Sequence, residues 1–208
     1  MKLDRNSELD NKKTVSHFTD LVRKYGIDAR ALDWCSQTSQ ELRFAILSQV
    51  GQLKGANVLD VGCGMGDFFG YLKGGGYNIR YLGVDLTPVV VEIAKKRFPE
   101  AQFELGDFQE FRQIDNQSFD FVFGSGLFYQ RQYKPFEFLK EIVTRMFKHC
   151  KRAVAFNSLS AWADRMESDE FYADPLKTLV FCRTLTPWVS LRHDYHPRDF
   201  TVYLYKRE

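Results

Sequence analysis

Apolar residues recur with two different spacings along this chain. Near the N-terminus they recur every three or four positions, which predicts amphipathic helices at 15–25 and 39–53. Beyond these helices, short β-branched and aromatic runs alternate with helical stretches. We predict strands at 57–61, 80–84, 101–104, 119–123 and 153–156, and helices at 68–72, 88–98, 136–147 and 175–183.

The order of these elements predicts the sheet. Strands that alternate with helices form a parallel sheet whose two faces are both covered. Two further strands, 188–193 and 200–205, are separated only by the short turn 194–199. A parallel crossover needs roughly a dozen residues or more, so this last pair is predicted to be an antiparallel hairpin. The expected fold class is α/β: a doubly wound sheet of about seven strands, with the last strand antiparallel and helices on both faces.

The chain length suits a single domain over residues 1–208. The sequence contains no repeats, no low-complexity tract and no interdomain linker. Residues 1–13 are polar and charged, and we predict that they are flexible or loosely attached. The helical segment 14–54, which carries Trp34, and an insertion at 158–175, which carries Trp162 and Phe171, are predicted to cover a site as a lid.

Composition disfavours several classes of function. The formal net charge is +2 and the basic residues are scattered, so no nucleic-acid partner is expected. No apolar run approaches the roughly 20 residues that span a bilayer, and no stretch near the start resembles a signal peptide. The four cysteines are far apart and form no CxxC pair. We therefore predict reduced thiols, no metal site, no membrane association and a cytoplasmic protein.

The strongest functional signal is the segment 58–68, which reads VLDVGCGMGDF. Three glycines at alternate positions after a strand let a ligand approach the bare backbone where free amide groups point outward. The dinucleotide fingerprint GxGxxG needs its third glycine where this chain has Asp67. An aspartate there would face a pyrophosphate anion, whereas a positively charged ligand is compatible with it. The spacing therefore favours a cationic ligand over a dinucleotide.

Further strands are predicted to end at the same edge of the sheet. Asp85 follows one of them and can accept hydrogen bonds from both hydroxyls of a ribose, a feature that NAD enzymes share. The pair Gly106-Asp107 follows the next, where a carboxylate and the neighbouring amide can bind the edge of an adenine. The strand at 119–123 ends in the small residues 124–126, which would form the floor of a site. These segments indicate a ligand that contains adenosine.

Through these segments residues 39–157, and more loosely the whole chain, resemble the class I S-adenosylmethionine-dependent methyltransferases. That family has a Rossmann-like sheet of seven strands whose last strand is antiparallel, which the terminal hairpin matches. The resemblance implies an enzyme that binds S-adenosyl-L-methionine, releases S-adenosyl-L-homocysteine, and methylates an oxygen or nitrogen of a small molecule. Residues 124–127 read GSGL instead of the Asn/Asp-Pro-Pro-Tyr/Phe of many base and glutamine-amide N-methyltransferases, which disfavours such substrates.

The resemblance also implies a role for individual residues. Asp60, the 62–66 loop and Ser125 would hold the methionine end of the cofactor, and Arg43 would bind its carboxylate. Asp85 would bind the ribose, Leu86 would pack on the adenine, and Asp107 and the Phe108 amide would bind its edge. The residues implied to bind the cofactor are Arg43, Asp60, Gly62, Cys63, Gly64, Asp85, Leu86, Asp107, Phe108 and Ser125.

No motif identifies a residue that would deprotonate a methyl acceptor. Tyr129, just past the small residues of 124–126, and His193, in the turn between the last strands, are the candidates. Three alternatives stay open: a methyltransferase of protein or RNA, a protein that binds the cofactor without catalysis and, more remotely, an NAD-dependent oxidoreductase. The pattern does not identify the acceptor or the oligomeric state.

Overall fold

Seven strands and six helices follow one another along residues 5–206, the part of the chain that the computed structural model describes. The strands are β1 (Asn57–Val61), β2 (Arg80–Asp85), β3 (Gln102–Leu105), β4 (Phe119–Gly124), β5 (Cys150–Leu159), β6 (Val189–Arg192) and β7 (Asp199–Tyr205). The helices are α1 (Arg5–Tyr25), α2 (Gln37–Leu47), α3 (Asp67–Gly74), α4 (Pro88–Arg97), α5 (Pro135–His149) and α6 (Pro175–Leu185). Short 3₁₀ turns occur at Ala29–Leu32, Ser48–Val50 and Arg112–Ile114.

The strands form one sheet in the order β3-β2-β1-β4-β5-β7-β6. The pairs within β1–β5 are parallel, and β7 lies between β5 and β6, antiparallel to both. The predicted fold class is confirmed, including the antiparallel hairpin. From β1 the chain winds outward to β2 and β3, and then in the other direction to β4 and β5. Such a reversal places a crevice at the carboxyl ends of β1 and β4.

Both faces of the sheet are covered by helices. On one face, Leu139, Val143 and Met146 of α5 are fully buried against strand residues such as Val122. On the other face, residues of α2, α3 and α4 pack with Phe123 in a second cluster. Neighbouring residues of β4 thus enter opposite cores, as the two-residue period of a strand requires. Most of the 19 phenylalanines of the chain lie in these two cores or pack against them.

The N-terminal segment differs from the prediction. Residues 5–13 are the first turns of α1 rather than a loosely attached tail, and residues 1–4 lie outside the described part of the chain. Asp10 accepts a hydrogen bond from the Tyr133 amide at 2.6 Å, and Asn11 donates to Asp107 at 2.7 Å. These polar contacts attach the first turns of α1 to the loops after β3 and β4. The spacing of apolar residues in the sequence gives no sign of such contacts. No helix within residues 5–206 is long and apolar enough to cross a membrane.

We expect the Phe123→Ala variant to lower the free energy of unfolding by about 3–5 kcal/mol, because it leaves a cavity in a fully buried site. Phe123 is 0% exposed and meets Phe68 edge-on, with 4.9 Å between ring centroids. Urea denaturation measures the loss. Val180→Ala on the exposed side of α6 is the control and should change the same quantity by no more than about 0.5 kcal/mol. Equal effects of the two substitutions would contradict this packing.

Candidate functional site

A deep pocket opens at the carboxyl ends of β1, β2 and β4, and encloses about 1060 Å³ when its open mouth is included. The sheet supplies one wall, and α1 with the start of α2 supplies the opposite wall. The residues that line it and were predicted to bind a cofactor are Asp60, Gly62, Cys63, Gly64, Asp85, Leu86, Asp107, Phe108 and Ser125. Nine of the ten implied residues therefore surround one cavity.

The glycine loop after β1 makes a tight turn against the end of β2. The amides of Gly62 and Cys63 both donate to the Val84 carbonyl, at 2.8 and 3.2 Å. Gly64 has a φ of +53°, and a Cβ there would lie 2.9 Å from the Leu32 side chain. Only glycine fits this position without strain and without a clash. The loop therefore brings bare backbone to the pocket wall, as its spacing predicts.

Asp60 and Ser125 present unpaired polar atoms to the pocket. Asp60 is 2% exposed, and its Oδ2 accepts a hydrogen bond from the Tyr81 hydroxyl. Its Oδ1 and the Ser125 hydroxyl are buried, with no hydrogen-bond partner among the residues described. Burial raises the pKa of Asp60 to about 7, because the charged form is poorly solvated there. Such atoms match a ligand that brings a cationic donor, such as the ammonium of a methionine group.

Asp85 joins the glycine loop to the segment after β2. Its Oδ2 accepts from the Gly64 amide at 2.9 Å and its Oδ1 from the Thr87 amide at 2.8 Å. Burial raises the pKa of Asp85, and these backbone donors oppose that rise because they favour the carboxylate. Each carboxylate oxygen keeps a lone pair for a further donor. Two adjacent hydroxyls of a ribose fit such an acceptor, and Leu86 lies beside it in the lining.

Asp107 lies at the other end of the pocket, after β3. Its Oδ1 accepts from the Gln109 amide at 2.9 Å, and its Oδ2 accepts from the Asn11 side-chain amide at 2.7 Å. Phe108 is 6% exposed and borders the same space. The predicted adenine-binding pair therefore lies at the pocket, but one of its oxygens is already shared with a side chain of α1.

Sequence reasoning predicted that the 14–54 segment covers a site, but it did not identify which residues of α1 line the pocket and it missed Asn11. Asn11, Thr14 and Phe18 line the pocket from one face of the helix. Thr14 donates to Gln130 Oε1 at 2.8 Å, which ties the helix to the segment after β4. Their spacing of three and four residues is helical and was the available signal. This spacing was overlooked because Asn11 lies in the charged 1–13 stretch that was predicted to be loosely attached, and because two of the three residues are polar.

Arg43 is the implied residue that the structure does not bring to the pocket. It is 5% exposed and forms a buried ion pair with Asp199, while its Nη1 donates to the Ser39 carbonyl at 2.9 Å. Its guanidinium therefore faces β7 rather than the glycine loop, and this placement does not support the predicted role in binding a carboxylate. Gln40, one helical turn earlier, lines the pocket instead and is 4% exposed.

The two candidate bases differ in position. Tyr129 lines the pocket, and its hydroxyl donates to Asp33 Oδ2 at 2.5 Å. His193 does not line it: its Nε2 lies 2.7 Å from the Ser160 hydroxyl, and its ring lies 5.3 Å from that of Trp162. The turn between β6 and β7 lies on the far side of β5 from β1 and β4. The structure therefore does not bring His193 to the pocket.

The insertion at 158–175 also differs from the prediction. Its first residues extend β5, and none of its residues, all within the described part of the chain, lines the pocket. Instead, the Phe171 amide donates to the Tyr129 carbonyl at 2.7 Å, and the Arg131 amide to the Asp169 carbonyl at 3.3 Å. The insertion therefore supports the Tyr129 segment from outside. The 14–54 segment does contribute to the wall, through Phe18 and Trp34 among others.

Comparisons with known proteins agree with this geometry. A family model described as "Methyltransferase domain" matches residues 58–154. A candidate methyltransferase of Mycobacterium tuberculosis, Rv1506c, is 31% identical over 164 aligned residues, and the alignment covers 72% of this chain and 93% of that protein.

Two solved structures share the fold. The magnesium protoporphyrin IX methyltransferase ChlM of Synechocystis PCC 6803, solved with bound SAM, has a TM-score of 0.70 and 16% identity, with 99% of both chains covered. The plantazolicin methyltransferase BamL, solved with a triazolic desmethylPZN analog and SAH, has a TM-score of 0.66 and 15% identity, with 97% of this chain and 99% of that chain covered. At these identities the likeness concerns the fold.

The Arg43→Met variant should lose about 3–5 kcal/mol of unfolding free energy, because it leaves the buried Asp199 carboxylate without its cation, with only His196 Nδ1 at 2.9 Å beside it. Urea denaturation followed by circular dichroism measures the change. The matched control is Arg23→Met, whose exposed pair with Asp20 should contribute no more than about 1 kcal/mol. If both variants were equally stable, the structural role assigned to Arg43 would be refuted.

Proposed function

The chain belongs to the class I S-adenosylmethionine-dependent methyltransferases, and we propose that its pocket binds S-adenosyl-L-methionine for methyl transfer to a small organic molecule. The observation that carries the proposal is the pair of unpaired buried oxygens, Asp60 Oδ1 and Ser125 Oγ, beside the glycine loop. They lie on the same wall as two more carboxylates, those of Asp85 and Asp107. A cofactor with an ammonium, a sulfonium, a ribose and an adenine supplies donors or positive charge to this wall.

The proposed assignment follows the order of the residues along the wall. Asp60, Ser125 and the glycine loop with Cys63 hold the methionine end, and Asp85 holds the ribose hydroxyls. Leu86, Asp107 and the Phe108 amide contact the adenine. Since Arg43 is engaged elsewhere, we assign the methionine carboxylate to the side-chain amide of Gln40. One N–H of that amide donates weakly to Asp67 Oδ2, at 3.4 Å, and the second is left for the ligand.

An NAD-dependent oxidoreductase is a poor alternative for this wall. A pyrophosphate would lie near Asp60 and Asp85, whose pKa values are already raised by burial. Asp67 occupies the first position of α3 and is paired with Arg97 at 2.7 Å, so that arginine is not free to bind a phosphate. Added negative charge would be repelled, whereas a cationic ligand is attracted.

When bound, the cofactor supplies a methyl group on a positively charged sulfur. The chain's own task is to hold an acceptor in line with that methyl and to exclude water. The apolar residues on the acceptor side of the pocket include Phe18, Trp34, Leu127 and Phe138. They suit an apolar or aromatic acceptor that fills the cavity.

Several observations support a small molecule over a macromolecule. The pocket is closed on one side by α1 rather than open along a groove. ChlM and BamL, which share the fold, are named for a porphyrin and a natural product. The net charge of +2 gives no basic face for RNA. A protein or RNA substrate and a cofactor-binding protein without turnover remain the alternatives, and a cytoplasmic location remains a prediction.

Calorimetric titration of the purified protein with S-adenosylhomocysteine should give micromolar binding, and titration with NADH should give none. We expect Asp85→Asn to weaken the binding of S-adenosylhomocysteine about 10- to 100-fold, since hydrogen bonds to a charged group contribute about 1.5–3 kcal/mol. The matched control is Asp164→Asn, an exposed aspartate outside the pocket that should leave the affinity unchanged. Binding of NADH alone would overturn the proposed function.

Affinity for S-adenosylhomocysteine should fall as the pH is lowered from 8 to 6. Asp60 has a pKa near 7 in the free protein and must be ionised to pair with the ligand's ammonium, so protonation below that pH competes with binding. A pKa near 7 predicts about a tenfold loss across this interval, together with proton release detectable by calorimetry in two buffers. The Asp60→Asn variant should bind more weakly and with no such pH dependence. A wild-type affinity that is constant over the interval would contradict this assignment.

A further inference from the structure

Three side chains from distant parts of the sequence meet at the edge of the pocket. Tyr129 follows β4, Asp33 lies between α1 and α2, and His17 lies on α1. The Tyr129 hydroxyl donates to Asp33 Oδ2 at 2.5 Å, and His17 Nε2 contacts the same oxygen. The cluster is separate from the residues assigned to the cofactor. Tyr129 lines the pocket, and the side chain of His17 is 44% exposed.

Asp33 is held in an unusual backbone conformation. It has a φ of +59° and caps the turn Ala29–Leu32, where its amide donates to the Arg30 carbonyl at 3.2 Å. A left-handed conformation is uncommon outside glycine and costs free energy, although aspartate and asparagine tolerate it best. The backbone thus fixes the carboxylate between Tyr129 and His17, at a point where it is 29% exposed.

We propose that Tyr129 and Asp33, with His17 holding the Asp33 carboxylate, form a proton-transfer chain that deprotonates a phenolic hydroxyl as it is methylated in this pocket. The proposal rests on the proposed methyltransferase function and adds the class of acceptor and the residues that activate it. Tyr129 is the member that contacts the acceptor. Asp33 and His17 act through it.

The hydrogen bonds at Tyr129 determine its role. Its proton points to Asp33, and its oxygen accepts from Gln130 Nε2 at 3.2 Å. One lone pair is therefore left to accept a hydrogen bond from an acceptor hydroxyl. Burial and the negative charges of Asp33 and Glu170 raise the pKa of Tyr129, so a standing tyrosinate is disfavoured. The phenol passes a proton onward instead of acting as the base itself.

The proton and electron balance of the step is complete. The acceptor oxygen forms a bond to the methyl carbon while the carbon–sulfur bond breaks, and its electron pair stays on the sulfur. The acceptor's proton moves to Tyr129 Oη as the tyrosine proton moves to Asp33 Oδ2. Asp33, whose side chain is 29% exposed, then releases the proton to solvent, while His17 Nε2 stays beside the same oxygen. The products are a methyl ether, S-adenosylhomocysteine and one proton released to water.

The groups available to take the proton determine how acidic the methylated hydroxyl must be. A phenol, with a pKa near 10, can transfer its proton to a carboxylate–imidazole pair as the new bond forms. An alkyl alcohol is far too weak an acid for such a pair, and a carboxylic acid would arrive ionised and be repelled by Asp33. A neutral amine needs no base before it attacks. The apolar side chains of Phe18, Leu32 and Trp34, which line the same pocket as Tyr129, suit an aromatic ring.

Two probes separate proton transfer from positioning. At pH 8, 4-methoxyphenol keeps its proton, whereas 4-nitrophenol is mostly ionised. With labelled S-adenosylmethionine, Asp33→Asn should lower kcat for 4-methoxyphenol about 100-fold or more, yet lower it much less for 4-nitrophenol. Asparagine retains the backbone preference of this site, so the turn is preserved. The control is Asp10→Ala, which removes another anchor of α1 and should affect both phenols equally.

Binding gives a second readout that needs no turnover. In the complex with S-adenosylhomocysteine, calorimetry should show that Tyr129→Phe weakens 4-methoxyphenol about tenfold, the magnitude of one lost hydrogen bond. The same substitution should leave binding of 1,4-dimethoxybenzene, which has no hydroxyl, unchanged. This difference isolates the contact between Tyr129 and the acceptor hydroxyl.

The outcomes are distinguishable from failure of the proposed function. If S-adenosylhomocysteine binds but neither phenol is bound or methylated, the acceptor class is wrong while the cofactor assignment stands. If Asp33→Asn lowers kcat equally for both phenols, the cluster only anchors α1 and the proton chain is refuted. If S-adenosylhomocysteine itself fails to bind, the proposed cofactor binding in this pocket is wrong.

Discussion

The hydrogen bond from the Gly64 amide to Asp85 joins the carboxyl ends of β1 and β2, and the shape of the pocket depends on it. The other oxygen of the same carboxylate holds the Thr87 amide, so one side chain fixes both the glycine loop and the start of α4. Because the loop backbone lies against Leu32, little room remains for another path of the chain. The carboxylate is therefore oriented before a ligand arrives, and its free lone pairs are aimed at the pocket.

The opposite wall depends on α1, whose polar residues contact three separate loops. Asn11 reaches Asp107 after β3, Thr14 reaches Gln130 after β4, and His17 reaches Asp33 before α2. Six residues of helix span about 9 Å, which suits the proposed arrangement of a nucleoside at one end of the pocket and an acceptor at the other. The position of one helix thus connects the loop after β3 to the loop after β4, so a shift of α1 would alter both proposed ends.

The sheet and its glycine loop could be predicted because their signals are local. A two-residue period, the 58–68 motif and a short final turn are each visible within a dozen residues. Arg43 and His193 could not be placed in this way. The partner of Arg43, Asp199, lies on β7, and the turn that carries His193 lies at the sheet edge because β7 inserts between β5 and β6. Side-chain partners across such distances follow from strand order, which residue spacing alone does not determine.

Burial distinguishes two carboxylates, that of Asp60 inside the pocket and that of Asp33 at its edge. Asp60 is nearly inaccessible and has an unpaired oxygen, so its charge is costly until a cation approaches. This unmet interaction lowers the stability of the free protein and becomes favourable with an ammonium in place. Asp33 lies at the edge, partly exposed to solvent and in contact with His17. The first arrangement suits binding of a cationic cofactor, and the second suits a group that must accept and release a proton in each turnover.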